Sequence, residues 1–174
     1  MTPSDTHCHF VFQGTTFKRC QKKVHIRQKD RMAKKNTIAI CYDFDGTLAP
    51  GNMQERDFIP EIKTSTKAFW QEVRELSEQE ESDQILCYMK LMLDKAEQNR
   101  VSVKKSDFSK YGSQLKLFDG LENKPGQQGW FDRINEYGKS SGVKIEHYII
   151  SSGLREMING TKISKKFKFI YGSG

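Results

Sequence analysis

No stretch of this 174-residue chain stays apolar for the length of a membrane span. Its first 31 residues also lack the roughly 7 to 15 apolar positions of a secretory signal. Cys8, Cys20, Cys41 and Cys87 form no CxxC pair and share no regular spacing, which excludes a disulfide framework and leaves reduced thiols, with Cys41 expected as a small core residue. His7-Cys8-His9 is a short potential metal cluster without a partner. No aromatic stacking platform or nucleic-acid fold signature accompanies the basic residues. These absences point to a soluble, cytoplasmic protein with no membrane partner. The length suits one domain, or one domain with a small insertion.

The net charge of +7 is unevenly placed. Residues 1–31 carry seven lysines and arginines against Asp5 and Asp30, a local balance of +5, and the rest of the chain carries only +2. A basic leader sets the charge. It shows no periodicity and reads as disordered or extraneous. Met32-Ala33-Lys34-Lys35-Asn36 resembles a natural start, so the leader is expected to be upstream sequence, with a transit peptide as the competing reading.

What is present is concentrated in Thr37-Ile38-Ala39-Ile40-Cys41-Tyr42-Asp43-Phe44-Asp45-Gly46-Thr47-Leu48. A β-branched apolar run predicts a buried strand, and the two aspartates and the glycine that follow predict an active-site loop at its carboxyl end. If the backbone stays extended through Phe44, Asp43 and Asp45 point to the same side. One acid can then remain ionised while its neighbour's charge raises the other's pKa for proton transfer. An anionic phosphate facing two carboxylates calls for a hard cation such as Mg²⁺. The competing reading is a surface turn with two solvated aspartates.

Pro50-Gly51-Asn52 and Pro60 mark breaks after this stretch. Helical spacing begins near Ile62, with Phe69, Val73 and Leu76 on one face and Trp70 widening it. Glu78 to Asp83 reads as a helix end and a solvated junction. Ile85, Met89, Met92 and Ala96 form the next stripe, broadened by Leu86, Leu91 and Leu93. Ser106 is the expected N-cap before Phe108, Tyr111, Leu115 and Phe118. These faces read as helix packing. Lys124 to Gly129 is a loop, Trp130, Ile134 and Tyr137 share a helix face, and Val143 to Ile150 predicts a second strand. That strand is expected to end at Ser151-Ser152-Gly153, followed by a short helix from Leu154 to Asn159. Phe167 to Tyr171 predicts a third strand. A parallel crossover needs about a dozen residues, which the helix near 130–139 supplies, so roughly 70 residues remain as an inserted, mostly helical segment.

The complete DFDGTL match after an apolar strand resembles the first motif of the haloacid dehalogenase (HAD) superfamily of phosphohydrolases, and the inserted helices resemble the cap of its phosphoserine-phosphatase-like branch. The resemblance implies a Rossmann-like parallel three-layer α/β/α core in residues 36–50 and 120–174, with a helical cap in 51–119. It implies Asp43 as nucleophile and Asp45 as general acid and base. Asp43 and the Asp45 backbone carbonyl would ligate Mg²⁺, and the substrate would be a small phosphorylated molecule. Ser151-Ser152-Gly153 is similar to the second motif, which grips the phosphoryl group, with Ser151 in the hydroxyl position. A hydroxyl and the first amides of a following helix would form an oxyanion cradle.

The family's third-motif lysine and fourth-motif acidic pair are not evident. Lys162, Lys165, Lys166 and Lys168 sit in a basic amphipathic stretch close to Ser151 and read as a solvated face. The expectation is therefore a fragment of a Mg²⁺-dependent phosphomonoester hydrolase, nearly inactive by itself. Two alternatives stay open. One is a non-catalytic module binding RNA or another polyanion through the leader. The other is a phosphotransferase or mutase sharing Asp43 and Asp45. Oligomeric state is not legible.

Overall fold

Ile38 and Ile40 favour extended backbone, and Thr37–Tyr42 forms the first strand, β1. The computed structural model describes residues 36–174, so the basic leader, His7-Cys8-His9 and the Met32 start lie outside the described residues. Four helices follow β1: α1 (Phe58–Glu61), α2 (Thr66–Gln79), α3 (Gln84–Asn99) and α4 (Lys105–Gln114). Then come α5 (Trp130–Ser140), β2 (Lys144–Leu154), α6 (Arg155–Gly160), a 3₁₀ turn at Ser164–Lys166 and β3 (Phe169–Ser173). The three strands form a parallel sheet in the order β1-β2-β3, with Tyr42 opposite Ile149. The architecture is mixed α/β, and the described residues comprise this small sheet and six α-helices. None of those helices is long and apolar enough to cross a membrane.

Helix ends follow local chemistry. Ser65 caps α2 by accepting the Ala68 N–H at 3.2 Å, and the Asp83 carboxylate caps α3 by accepting the Ile85 N–H at 2.8 Å. The expected cap at Ser106 is not formed. Helix α4 already starts at Lys105, and Leu115 and Phe118 lie beyond its end. In α3 the buried face is Cys87, Tyr88, Met92 and Ala96, whereas Leu86 and Leu93 face solvent. In α5 the buried residues are Phe131 and Gly138, and Tyr137 is 72% exposed. Gly138 explains that rotation, because a β-carbon there would stand 2.5 Å from Ile145 Cγ1 and hold the helix off β2.

The core gathers Phe44, Phe58, Phe69, Phe131, Ile149 and Met157, all fully buried. Helix α4 joins it by crossing α6 at two glycines. A β-carbon on Gly112 would stand 1.8 Å from the Met157 carbonyl oxygen, and one on Gly160 2.1 Å from that of Ser109. Only bare backbone allows this approach. Two strand expectations change. β1 is largely exposed, with Ile38 51% accessible and Cys41 on the surface, because among the described strands it pairs with β2 alone. β2 runs on through Ser151-Ser152-Gly153 to Leu154, so these residues are strand and not loop.

Candidate active site

The two aspartates lie on either side of a fully buried phenylalanine. Phe44 is fixed in the core, and its carbonyl accepts the Thr47, Leu48 and Ala49 amide hydrogens at 3.2, 2.8 and 3.1 Å. Gly46 adopts φ +74, which a side chain would oppose, and donates its N–H to the Ala49 carbonyl at 2.7 Å. β1 has ended at Tyr42, so the acids follow a tight turn instead of strand alternation. Asp43 is exposed; Asp45 is partly buried.

Asp45 Oδ1 accepts the Met53 N–H at 2.9 Å. Burial pushes the Asp45 carboxyl up to about 7; the Met53 bond opposes that shift, and the charges of Asp43 and Glu55 add to it. Desolvation, more than the neighbouring charge, is thus the main cause of the Asp45 shift.

β2 brings its Ser-Ser-Gly segment to the same place. Gly153 lies so close that a β-carbon would stand 3.0 Å from Asp45 Oδ2 and 2.1 Å from Met53 Cε. The Leu154 N–H donates to Met53 Sδ at 3.2 Å, seating Met53 between β2 and the aspartate turn. Ser151 Oγ accepts the Gly153 N–H at 3.0 Å, and Ser151 is not among the residues lining the cavity described next. β2 runs directly into the six-residue α6, so the helix begins immediately after Leu154.

A cavity of about 290 Å³ opens over this junction, with Asp45, Ser152 and Gly153 on the sheet side and Gln54, Trp70 and Tyr88 opposite. The Tyr88 hydroxyl donates to the Ser152 carbonyl at 2.8 Å, joining α3 to β2. Burial, and then the Asp45 charge, push that hydroxyl up to about 12, while a contact with the Gln54 side chain opposes the shift. Trp70 Nε1–H and Asn52 Nδ2–H both donate to Glu55 Oε1 at 2.7 Å. Sequence periodicity placed Trp70 on a packing face and did not single out Gln54 or Tyr88. Tyr88 was within reach, lying three residues after Ile85 and four before Met92 on the α3 stripe.

The C-terminal lysines do not line the cavity. Lys166 Nζ reaches Asp132 Oδ2 at 2.7 Å, Lys168 reaches Glu146 Oε2 at 2.8 Å, and Lys162 stands 3.7 Å from Glu122 Oε1. Lys165 is exposed. Among the described residues no group of three or more His, Cys, Asp or Glu is arranged to hold a metal. Mg²⁺ commonly takes one or two protein carboxylates and completes its shell with water and substrate phosphate oxygens. Asp43 and the Asp45 carbonyl are oxygen donors of the kind such a partial set uses, and the turn bonds that converge on the Phe44 carbonyl leave that of Asp45 aside.

No family model matches the chain. It is similar to an uncharacterized protein of Borreliella burgdorferi, 32% identical in an alignment of 147 positions that covers 75% of this chain and 47% of the relative. The chain spans about half the length of the curated relative it matches.

Proposed function

We propose that this chain carries the Rossmann-like core and helical cap of a HAD-type phosphomonoester hydrolase. The observation that carries the reading is Asp45, held by the Met53 amide under a cavity at the carboxyl ends of two parallel strands, beside Ser152 and Gly153 and near enough to Asp43, which does not line the cavity, to feel its charge. Helices α2 and α3 supply the opposite wall through Trp70 and Tyr88, where a cap would exclude water. The free thiols Cys41 and Cys87 suit a cytoplasmic setting.

In this reading the exposed Asp43 carboxylate attacks phosphorus in line and forms an aspartyl-phosphate. The P–O bond to the alcohol breaks as Asp45, protonated near neutral pH, gives its proton to the departing oxygen. Asp45, now ionised, takes a proton from water as that water attacks the phosphorus of the aspartyl-phosphate. This releases phosphate and restores Asp43. Ser151, Ser152 and Gly153 lie along the strand end that holds the transferring group. Asp43 and the Asp45 carbonyl would hold Mg²⁺, which neutralises phosphate charge when bound.

The test is hydrolysis of p-nitrophenyl phosphate with Mg²⁺, and mass spectrometry of a rapidly quenched reaction. Turnover by this chain alone is expected to be slow, and the expected results are a phosphoryl adduct on Asp43 and loss of both the adduct and the residual turnover in Asp43→Asn. Turnover that survives Asp43→Asn would overturn the nucleophile. Phosphate delivered to an added alcohol instead of water would make the chain a phosphotransferase.

A further inference from the structure

Gln54 is 2% exposed and lines the cavity, and its Oε1 is buried with no hydrogen-bond partner among the described residues. The orientation of its carboxamide follows from Tyr88. That hydroxyl spends its one hydrogen on the Ser152 carbonyl, so toward Gln54 it can only accept. Gln54 therefore turns its NH₂ to Tyr88 and leaves the oxygen unsatisfied. Buried polar atoms are satisfied in the great majority of native structures, and an exception at a cavity wall calls for a partner from outside the chain.

The rest of the wall limits what that partner can be. Asn52 and Gln84 add two more carboxamides, and among the described residues lining the cavity there is no lysine or arginine. Asp45 contributes a carboxyl group, and Glu55 stands behind Asn52 and Trp70 as their shared acceptor. A second anionic group on the ligand would meet carboxyl groups and no counter-charge. A hydroxyl or ammonium group would meet acceptors.

We infer that Gln54 is a specificity residue whose Oε1 accepts a hydrogen bond from the leaving group, and that the substrates are phosphomonoesters of small alcohols carrying a further hydroxyl or amine and no second negative charge. This rests on the phosphatase reading for the phosphoryl end of the ligand and on Gln54 alone for the other end.

The test uses the full chain carrying Asp43→Asn, which removes the attacking carboxylate and one repelling charge, with affinities read by calorimetry in the presence of Mg²⁺. The probes are glycerol 1-phosphate, phosphoethanolamine, n-propyl phosphate and 3-phosphoglycerate. Glycerol 1-phosphate and phosphoethanolamine should bind about tenfold or more tighter than n-propyl phosphate, and 3-phosphoglycerate should bind weakest. Gln54→Met, similar in length but without the acceptor, should bring the glycerol-to-propyl ratio to within about twofold. Gln54→Glu keeps an acceptor and should raise the preference for phosphoethanolamine; it also serves if the methionine variant does not fold.

A ratio near unity in the chain with Gln54 intact, or one that Gln54→Met leaves unchanged, overturns the assignment. Hydrolysis is scored separately in the chain with Asp43 intact. A Gln54-dependent ratio with neither hydrolysis nor a phosphoryl adduct on Asp43 sinks the phosphatase reading and leaves the specificity residue standing. Hydrolysis with a flat ratio does the reverse, and absence of binding by all four probes overturns both.

Discussion

The Met53 backbone N–H donates to Asp45 Oδ1 at 2.9 Å, yet the Asp45 carboxyl still sits near 7, because burial outweighs the bond. Its ordinary value is 3.8, so between about 4 and 7 the folded chain holds a proton that the unfolded chain has released. Stability from this group is full below the ordinary value and is lost as pH rises through 7. The change is on the order of 2–4 kcal/mol. Urea unfolding in metal-free buffer should show the midpoint falling from pH 4.5 to 8, and Asp45→Asn should flatten that slope. A wild-type midpoint rising over the same interval would contradict the burial argument.

His147 contributes with the opposite sign. It is 3% exposed, its Nδ1 stands 2.9 Å from the Tyr42 hydroxyl, and burial holds its pKa below the ordinary 6.5. Trp130 Nε1–H donates to that same hydroxyl at 3.0 Å, and burial favours the neutral imidazole. The unfolded chain takes up the proton first, and stability falls as pH drops below about 6.5. In a background of Asp45→Asn this acid-side loss should be visible by itself, and His147→Phe should abolish it. An imidazole titrating at or above 6.5 by NMR would refute it.

Gly112→Ala places a methyl group against the Met157 carbonyl oxygen, which belongs to backbone and cannot swing aside. Helix α4 must then lift from α6, at a cost of about 1–3 kcal/mol. The urea midpoint reports the loss. Gly120→Ala is the control for position alone: a β-carbon there meets nothing within 4 Å, so only its positive φ, +86, is strained. Equal losses in the two variants would remove the crossing as the explanation.

Gly153→Ala acts differently, since its first contact is Met53 Cε, the end of a flexible side chain, and its second is Asp45 Oδ2 at 3.0 Å. Met53 can give way at modest cost to stability, but its sulfur then leaves the Leu154 amide and the loop that presents its own amide to Asp45 shifts. The predicted signature is a rate of the proposed phosphatase reaction reduced by about 10-fold or more with a stability loss of about 1 kcal/mol. Proportionate losses in both would make Gly153 a packing residue only.

Much of this was written in residue spacing. β1, α2, α3 and β2 follow from period and turn chemistry, and Asp43 and Asp45 from their place after the first strand. The inward face of α5 was not legible, because Gly138 contributes closeness and not hydrophobicity, and no periodicity count registers a missing side chain. Ser106 had the right residue type for a cap, but the helix was already under way from Lys105. The exposure of β1 was hidden because an apolar β-branched strand reads the same at an edge as in the middle of a sheet. Gln54 and Tyr88 owe their interest to partners far along the chain, Ser152 among them, and only the folded chain brings these together.

Phe44, between the two acids, has a consequence for how the protein ages on heating. Loops that carry chemistry are often the first parts of a protein to loosen, so that function fades well before the fold does. Here the residue joining Asp43 to Asp45 is fully buried, and its carbonyl gathers three amide hydrogens of the following turn. Neither acid can wander far unless Phe44 leaves the core. Loss of the proposed activity on heating should therefore track melting, with no temperature interval in which the chain is folded but the turn from Asp43 to Asp45 has come apart.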